Sequence, residues 1–438
     1  MERLKVFYRK RLSRFKIFRG LRAMLGSLAY SVGRARLVLR GPIYRRFKFL
    51  PMKELGLLGG VKNSIQLSSG GRLNIAGPNF VGERPARLIA ESQVELESPD
   101  LELMELDSVA VVGGTNFILR DGVAFHPDLY DSLRDVSPAE RFGFMTAFPD
   151  CGEVVFHFPE STREIPNGVS LLGQCTGNYA HWLTETLPKL LLVDTVESYR
   201  EFPLLVDAWS PAVFIETVDI FNKYSRPIIK VNLWEQVDVK RLVELSPPAY
   251  VPPEYREFVK DGKLPLVESN LFPFSRHALD LLREQSLKLT VLREGSTRRR
   301  KLYLQRSVAS TGNGRQITNI DDVEEVIRRH GFEFIETGKL GFIDQVKLFS
   351  EAVYIVSPVG AAMANTIFSP PGCRVIALAP YYERANYYYF SNLMGALKHD
   401  LFYVLGVQVG GVGHPLHRDY SVDAAALNTA LDGCAVDD

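Results

Sequence analysis

The stretch that most restricts the fold runs from Ala352 to Pro380, AVYIVSPVGAAMANTIFSPPGCRVIALAP. Val353 to Ser357 are apolar or β-branched almost without interruption, which predicts a strand buried on both faces. Pro358-Val359-Gly360 break that strand, and the small or helix-favouring residues Ala361 to Asn365 follow. Small side chains at a helix start let a ligand reach the backbone, where free N–H groups and the positive helix end favour a phosphate. Ser369-Pro370-Pro371-Gly372 close the helix, and Arg374 to Ala379 form a second apolar strand. Strand, glycine turn, short helix and strand make half of an open α/β nucleotide-binding unit. A plain tight turn has the same pattern, so function has to be argued from the rest of the chain.

A chain of 438 residues with 46% apolar and 24% charged content has room for two or three domains with full cores. The net charge of +1 hides an asymmetry. Residues 1–53 hold 16 of the 52 Lys and Arg and only one acid, Glu2, so the remainder carries a net −14. Within 1–48, Leu4, Tyr8, Leu12, Phe15, Phe18, Leu21, Leu25, Leu28 and Val32 recur every three or four residues among Arg and Lys. That pattern predicts a basic amphipathic helix on an anionic membrane surface, with glycines at 20, 26 and 33 interrupting it. Phosphate binding alone needs no apolar stripe, so nucleic acid is not the expected partner. No apolar run approaches the ~20 residues of a spanning helix, and neither a signal peptide nor an anchor is predicted. Four scattered cysteines without C-x-x-C suggest no zinc site and no disulfide framework, which fits a reducing compartment.

From Ser64 to His126 short alternating runs separated by Gly, Asn and Asp predict a β-rich segment. From Gly168 to about Ser246 strands alternate with helices, including a helix over Asn178–Val193, which implies a mostly parallel sheet. A helix at Ser275–Lys288 leads to an exposed basic turn, Arg298 to Lys301. A second α/β unit follows, with a helix capped near Asn319 and the opening stretch at its centre. The expected division is a membrane-surface segment 1–55, an N-terminal domain 56–265, a C-terminal domain 266–405, and a tail 406–438 returning to the N-terminal domain.

Two groups of residues could carry chemistry. His181 and Glu185 stand at i, i+4 on one helix face, with Leu183, Leu187, Leu190 and Leu191 on another. They could serve as general base and orienting carboxylate; alternatively His181 binds a backbone carbonyl and Glu185 pairs with Lys189. Arg306 and Arg315 flank the loop Ser310-Thr311-Gly312-Asn313-Gly314 and could clamp a diphosphate, or be surface charge.

The segment GNYAHWLTETLPKLLLVD resembles the N-Y-x-H-W-x-x-E-x-L-P-x-L motif of glycosyltransferase family 61. The run from Leu302 to Leu378, with Arg306, Arg315, Asn319, Gln345, Gly360-Ala361 and Asn365, is similar to the same family's second half. The resemblance covers roughly residues 165–405. It implies a GT-B-like α/β fold of two doubly wound Rossmann-like domains facing a cleft, here preceded by the β-rich segment and the basic helix. It further implies inversion at the anomeric carbon, a donor nucleotide-sugar in the second domain at Arg306, Arg315, Gly360, Ala361 and Asn365, and an acceptor in the first beside Asn178, Tyr179 and Trp182. Val359 stands where the family commonly has histidine, and Ser307 where a second arginine often follows the first.

Breaking a sugar–diphosphate bond needs a cationic pocket for the leaving phosphate and a base for the attacking hydroxyl on the other side. Arg306 with the Gly360-Ala361 turn suits the first role, and His181 with Glu185 the second. No D-x-D motif is present, which argues against a bridging metal, and no cofactor is expected beyond the nucleotide-sugar co-substrate, a UDP-sugar in the simplest reading. The sequence therefore predicts an inverting, metal-independent glycosyltransferase of the cytoplasmic inner-membrane face, acting on a capsular or other surface polysaccharide or a lipid-linked glycan. Its alternative is a non-catalytic glycan or nucleotide-sugar binding module of a polysaccharide assembly complex.

Overall fold

A computed structural model describes residues 44–83, 85, 90–161, 163–252, 254, 256, 269–290, 299–306, 315–382, 385–410 and 418–432. The basic amphipathic segment lies outside the described residues up to 43. Its last part is not helical. Arg45–Pro51 is a strand, paired parallel to Val123–His126 and antiparallel to Glu153–Phe156. The local period is two: Phe47 and Phe49 turn inward while Arg46 and Lys48 are exposed, so this basic stretch is a strand within the sheet of the first unit.

The first unit is built on one 11-stranded mixed sheet. At one end Ile228–Val231, Leu204–Asp207, Glu164–Ser170 and Gln236–Leu245 lie side by side and parallel. Leu101–Val112 then joins antiparallel to Gln236–Leu245, and Ile118–Arg120 and Val123–His126 continue from it. The expected doubly wound first domain is thus corrected. The β-rich segment does not precede the α/β sheet as a separate layer but extends it. Leu101, Leu103, Leu106 and Val109 to Val112 are buried, and their strand has no free face to offer a core of its own.

The second unit follows the expected pattern closely. Glu333–Ile335, Arg300–Leu304, Ala352–Pro358, Arg374–Tyr381 and Asp400–Val409 are all parallel. In chain order they lie 2-1-3-4-5, an open doubly wound arrangement whose switch point falls between Arg300–Leu304 and Ala352–Pro358. Helices cover both faces: Phe342–Ser350 on one, through Val346 and Phe349, and Ile320–Arg329 on the other, through Val323, Val326 and Ile327. Arg300 and Lys301 belong to the first strand rather than to an exposed basic turn, because Arg300 pairs with Glu333 and Glu351.

Three further boundaries change. Asn319 stands at a helix start but does not cap it; its amide donates to Val422 O (2.9 Å) and accepts from Val422 N (2.9 Å). That clip ties down Asp419–Val422, an antiparallel edge strand of the second sheet. The last helix, Ala424–Asp432, packs on Ile320–Arg329 through Ala426, Leu427 and Leu431, so the tail stays with the C-terminal unit and does not return to the first. Conversely, Asn79–Val81 leaves the β-rich segment and pairs with Phe402–Val404 of the second sheet. The hairpin Gly71–Ala76 with Gln93–Ser98 packs beside it on the helix Tyr388–Leu397. Gly395 allows that approach; a Cβ there would stand 2.7 Å from Ile75 Cβ. Among the described residues no helix is long and apolar enough to cross a membrane.

Candidate active site

At the switch point of the second sheet the chain leaves Leu304 for Arg306 and leaves Pro358 for Gly360. Arg306 Nη1 donates to Val359 O at 3.3 Å. Arg315 returns to the same place in the left-handed region, at φ +59°, which a bulky residue adopts only when its surroundings hold it there. A Cβ built on Gly360 would lie 3.7 Å from Arg306 Nη1 and 3.9 Å from Arg315 Nη2, so both guanidinium groups converge on this glycine. Among the described residues neither arginine has a carboxylate partner, and the Nε of each is buried without a hydrogen bond. Burial lowers the pKa of Arg306, and burial together with the Arg306 charge pulls Arg315 down to about 10. Two mutually repelling, half-buried cations with unused donors form a site that an anion relaxes.

Ala361–Phe368 starts here as an eight-residue 3-10 helix. Gly360, Ala361 and Ala362 are half-buried, while Met363 onward is buried, so only the first turn is accessible. The first N–H groups of a helix have no acceptor within it, and this helix starts at the glycine on which the two arginines converge. Val359 packs its side chain against the core and contributes its carbonyl to Arg306.

Across from this turn stands the segment predicted as one helix over Asn178–Val193. It is three pieces: an α-turn at Tyr179–His181, a π-turn at Trp182–Thr186, and an α-helix at Leu187–Val193. Pro188 accounts for the irregularity. Its ring would meet the carbonyl of Thr184 in a regular helix and it has no N–H to donate, and a wider turn relieves both. Across the start of the π-turn His181 Nδ1 lies 2.8 Å from Glu185 Oε1. Lys189 is not available to Glu185, because its ammonium is buried 2.8 Å from Glu244. Leu183, Leu187, Leu190 and Leu191 are all buried, which fixes the face that carries the pair. Glu185 also borders Cys175 and the Tyr389 hydroxyl, whose pKa values are raised chiefly by burial and further by its charge. The Tyr389 hydroxyl is buried without a hydrogen-bond partner among the described residues.

The Tyr179–His181 turn packs directly on Ala361–Phe368. Tyr179 Oη donates to Asn365 Oδ1 (2.8 Å) and approaches Gln345 Oε1 (3.3 Å), and Asn365 Nδ2 donates to Gln345 Oε1 (2.9 Å). Tyr179 and Asn365 are therefore used to join the two units, and Asn365, 0% exposed, lies beneath the anion site rather than in it. Asn178 is exposed and caps the α-turn, accepting from Ala180 N at 3.0 Å. Trp182 is 0% exposed, stacked on Phe214, with its indole N–H donated to Thr217. That burial removes it from any surface an acceptor could touch.

Residues 179–376 match the family model Glycosyltransferase 61. That match supports glycosyltransferase activity, with a sugar donor and an acceptor as substrates. No curated protein matches the chain. The matched segment contains His181, Glu185, Arg306, Arg315 and Gly360, and thus both faces of the geometry described above.

Sequence reasoning missed Asp207. Buried at the carboxyl end of Leu204–Asp207, it accepts from Gly114 N (2.6 Å), Gly173 N (3.0 Å) and Thr176 Oγ1 (2.8 Å). Burial raises its pKa to about 6 against those bonds. It pins the loop that delivers the His181 turn. The available signal was an acid ending the otherwise apolar run Leu204-Leu205-Val206.

Proposed function

We propose that the chain is an inverting, metal-independent glycosyltransferase of GT-B type that moves a sugar from a nucleotide-sugar, a UDP-sugar in the simplest case, to a hydroxyl of a polysaccharide or lipid-linked glycan. The observation that carries this reading is the convergence of Arg306 and Arg315, without carboxylate partners, on Gly360. The donor diphosphate sits between the guanidinium groups and the first turn of Ala361–Phe368. Two cations and a helix end take the charge that a divalent metal would otherwise carry. Arg315 supplies the contact that Val359 and Ser307 do not.

His181 uses Nδ1 on Glu185, which leaves Nε2 for the acceptor. The acceptor oxygen attacks the anomeric carbon from the face opposite the phosphate, and its proton passes to His181 Nε2. The bond from the anomeric carbon to the phosphate oxygen breaks, and the nucleoside diphosphate leaves with that electron pair. Attack opposite the leaving group inverts the configuration. Glu185 orients the imidazole and stabilises the imidazolium. The reading extends to residues 1–43 as the segment that brings this site to an anionic inner-membrane face and to capsular or related surface polysaccharide.

The test is nucleotide binding by calorimetry combined with donor turnover across a panel of nucleotide-sugars. Arg306→Ala and Arg315→Ala are each expected to weaken nucleotide binding by roughly tenfold or more, the worth of a lost charge-assisted hydrogen bond. Unchanged affinity in both variants would remove the donor assignment.

A further inference from the structure

Of the three tryptophans only one is open to solvent. Trp182 is 0% exposed, Trp234 is 8% exposed and Trp209 is 40% exposed. Trp209 follows Leu204–Asp207 at the carboxyl end of the parallel strands, two residues beyond the buried Asp207 carboxylate. Its six-membered ring lies against Gly177; a Cβ there would stand 2.3 Å from Trp209 Cζ3 and 3.1 Å from Cε3. Only glycine leaves the ring that place. Gly177 precedes Asn178, the cap of the turn that carries His181.

The benzo edge is held by the backbone leading to the proposed base, and the loop it rests on is fixed by Asp207 through Gly173 and Thr176. What the ring shows to solvent is a largely apolar aromatic surface. In the loop that carries Gly177, Gln174 is 5% exposed and neither atom of its amide has a hydrogen-bond partner among the described residues. A fixed aromatic face, with an unused amide on the loop it packs against, suits a ligand with an apolar C–H face and a rim of hydroxyls.

We propose that Trp209 is the platform on which the acceptor glycan stacks a sugar ring. The inference deepens the transferase reading and rests on it: the acceptor belongs on the first unit, beside His181. It also replaces Trp182, which the core has taken.

The exposure pattern supplies the experiment. Iodide quenching of tryptophan fluorescence reports on Trp209, and Trp209→Phe identifies that component by removing it. The probes are methyl glycosides of glucose, galactose, mannose, xylose and N-acetylglucosamine, with UDP binding measured on the same samples. At least one glycoside is expected to lower the quenching constant of the full chain by about half or more, and Gln174→Leu to weaken that protection. If no glycoside protects Trp209 while UDP binds, the platform is overturned and the donor site stands. If UDP does not bind either, the transferase reading falls with it. Protection by anionic phospholipid vesicles but by no glycoside also overturns the platform, and assigns the ring to a membrane contact instead.

Discussion

In the proposed mechanism His181 and Glu185 have separable effects, because one contacts the acceptor and the other acts through it. His181→Ala is expected to lower turnover by about 10²–10⁴-fold with nucleotide affinity kept, as for loss of a general base. Glu185→Gln is expected to lower turnover less, since the amide oxygen still accepts from the imidazole but carries no charge to stabilise the imidazolium. Stopped-flow or steady-state assays of both variants check this. Arg315 gives a pH signature. In the proposed mechanism a nucleotide diphosphate binds the protonated guanidinium, and the free group is drawn down to about 10 by burial and by Arg306. Affinity should hold up to that pH and fall as pH rises through it, whereas Arg315→Gln should bind more weakly with a flatter profile. Calorimetry from neutral pH to above pH 10 measures it. The pairing of His181 with Glu185 was legible as an i, i+4 spacing, but the choice between Glu185–His181 and Glu185–Lys189 was not. It depended on Glu244, 55 residues beyond Lys189 and on another strand.

The elements that hold the site are less regular than their sequences suggest. Pro188 is visible in the chain, yet whether a proline kinks, ends or widens a helix depends on what packs on either side. Here buried leucines continue on both sides of it, so the helix resumes after one π-turn. Replacing Pro188 with Ala should let the turn tighten and misplace Glu185 against His181, lowering turnover more than stability. Activity and denaturation midpoints measured together distinguish the two. The pin at Asp207 behaves in the opposite way. Asp207→Asn puts an amide N–H₂ where N–H and O–H donors point, and should cost about 1–3 kcal/mol of stability, read from chemical denaturation. Since burial raises this carboxyl to about 6, the folded form takes up its proton more readily than the unfolded chain. Acidification to pH 6 therefore does not cost stability through Asp207, but it loosens the bonds to Gly173 and Thr176 that position the His181 turn.

At the scale of the molecule the two units are joined by more than the covalent link. Asn79–Val81 adds a strand to the second sheet, and Phe80 lies 5.6 Å from the Tyr403 ring, stacked, and 5.3 Å from that of Tyr387, edge-on. The Tyr179–Asn365–Gln345 bonds close the same join from the other side. Phe80→Ala should therefore speed hydrogen exchange in both the Gly71–Ala76 hairpin strand and Asp400–Val409, about 320 residues apart in sequence. Faster exchange in the hairpin alone would mean the strand addition contributes nothing to the second sheet.

The second unit could be drawn from its sequence because each strand and helix there is complete within 10 residues or so, and its glycine turn is a local pattern of Gly360 and alanines. Local rules decide such elements wherever the chain then packs. The first unit could not. Arg45–Pro51 has a charge pattern that suits either a membrane helix or a half-exposed strand, and its partners at Val123–His126 and Glu153–Phe156 settle which. Asn319, Trp182 and the final helix were each assigned a role that a distant contact then took away, at Val422, Thr217 and Ile320–Arg329 respectively. The chain by itself determined which residues are suited to acid–base and phosphate chemistry, since that depends on side-chain type and spacing. Which of them face one another was decided by tertiary packing, because burial and partner choice are properties of the folded surface rather than of any segment.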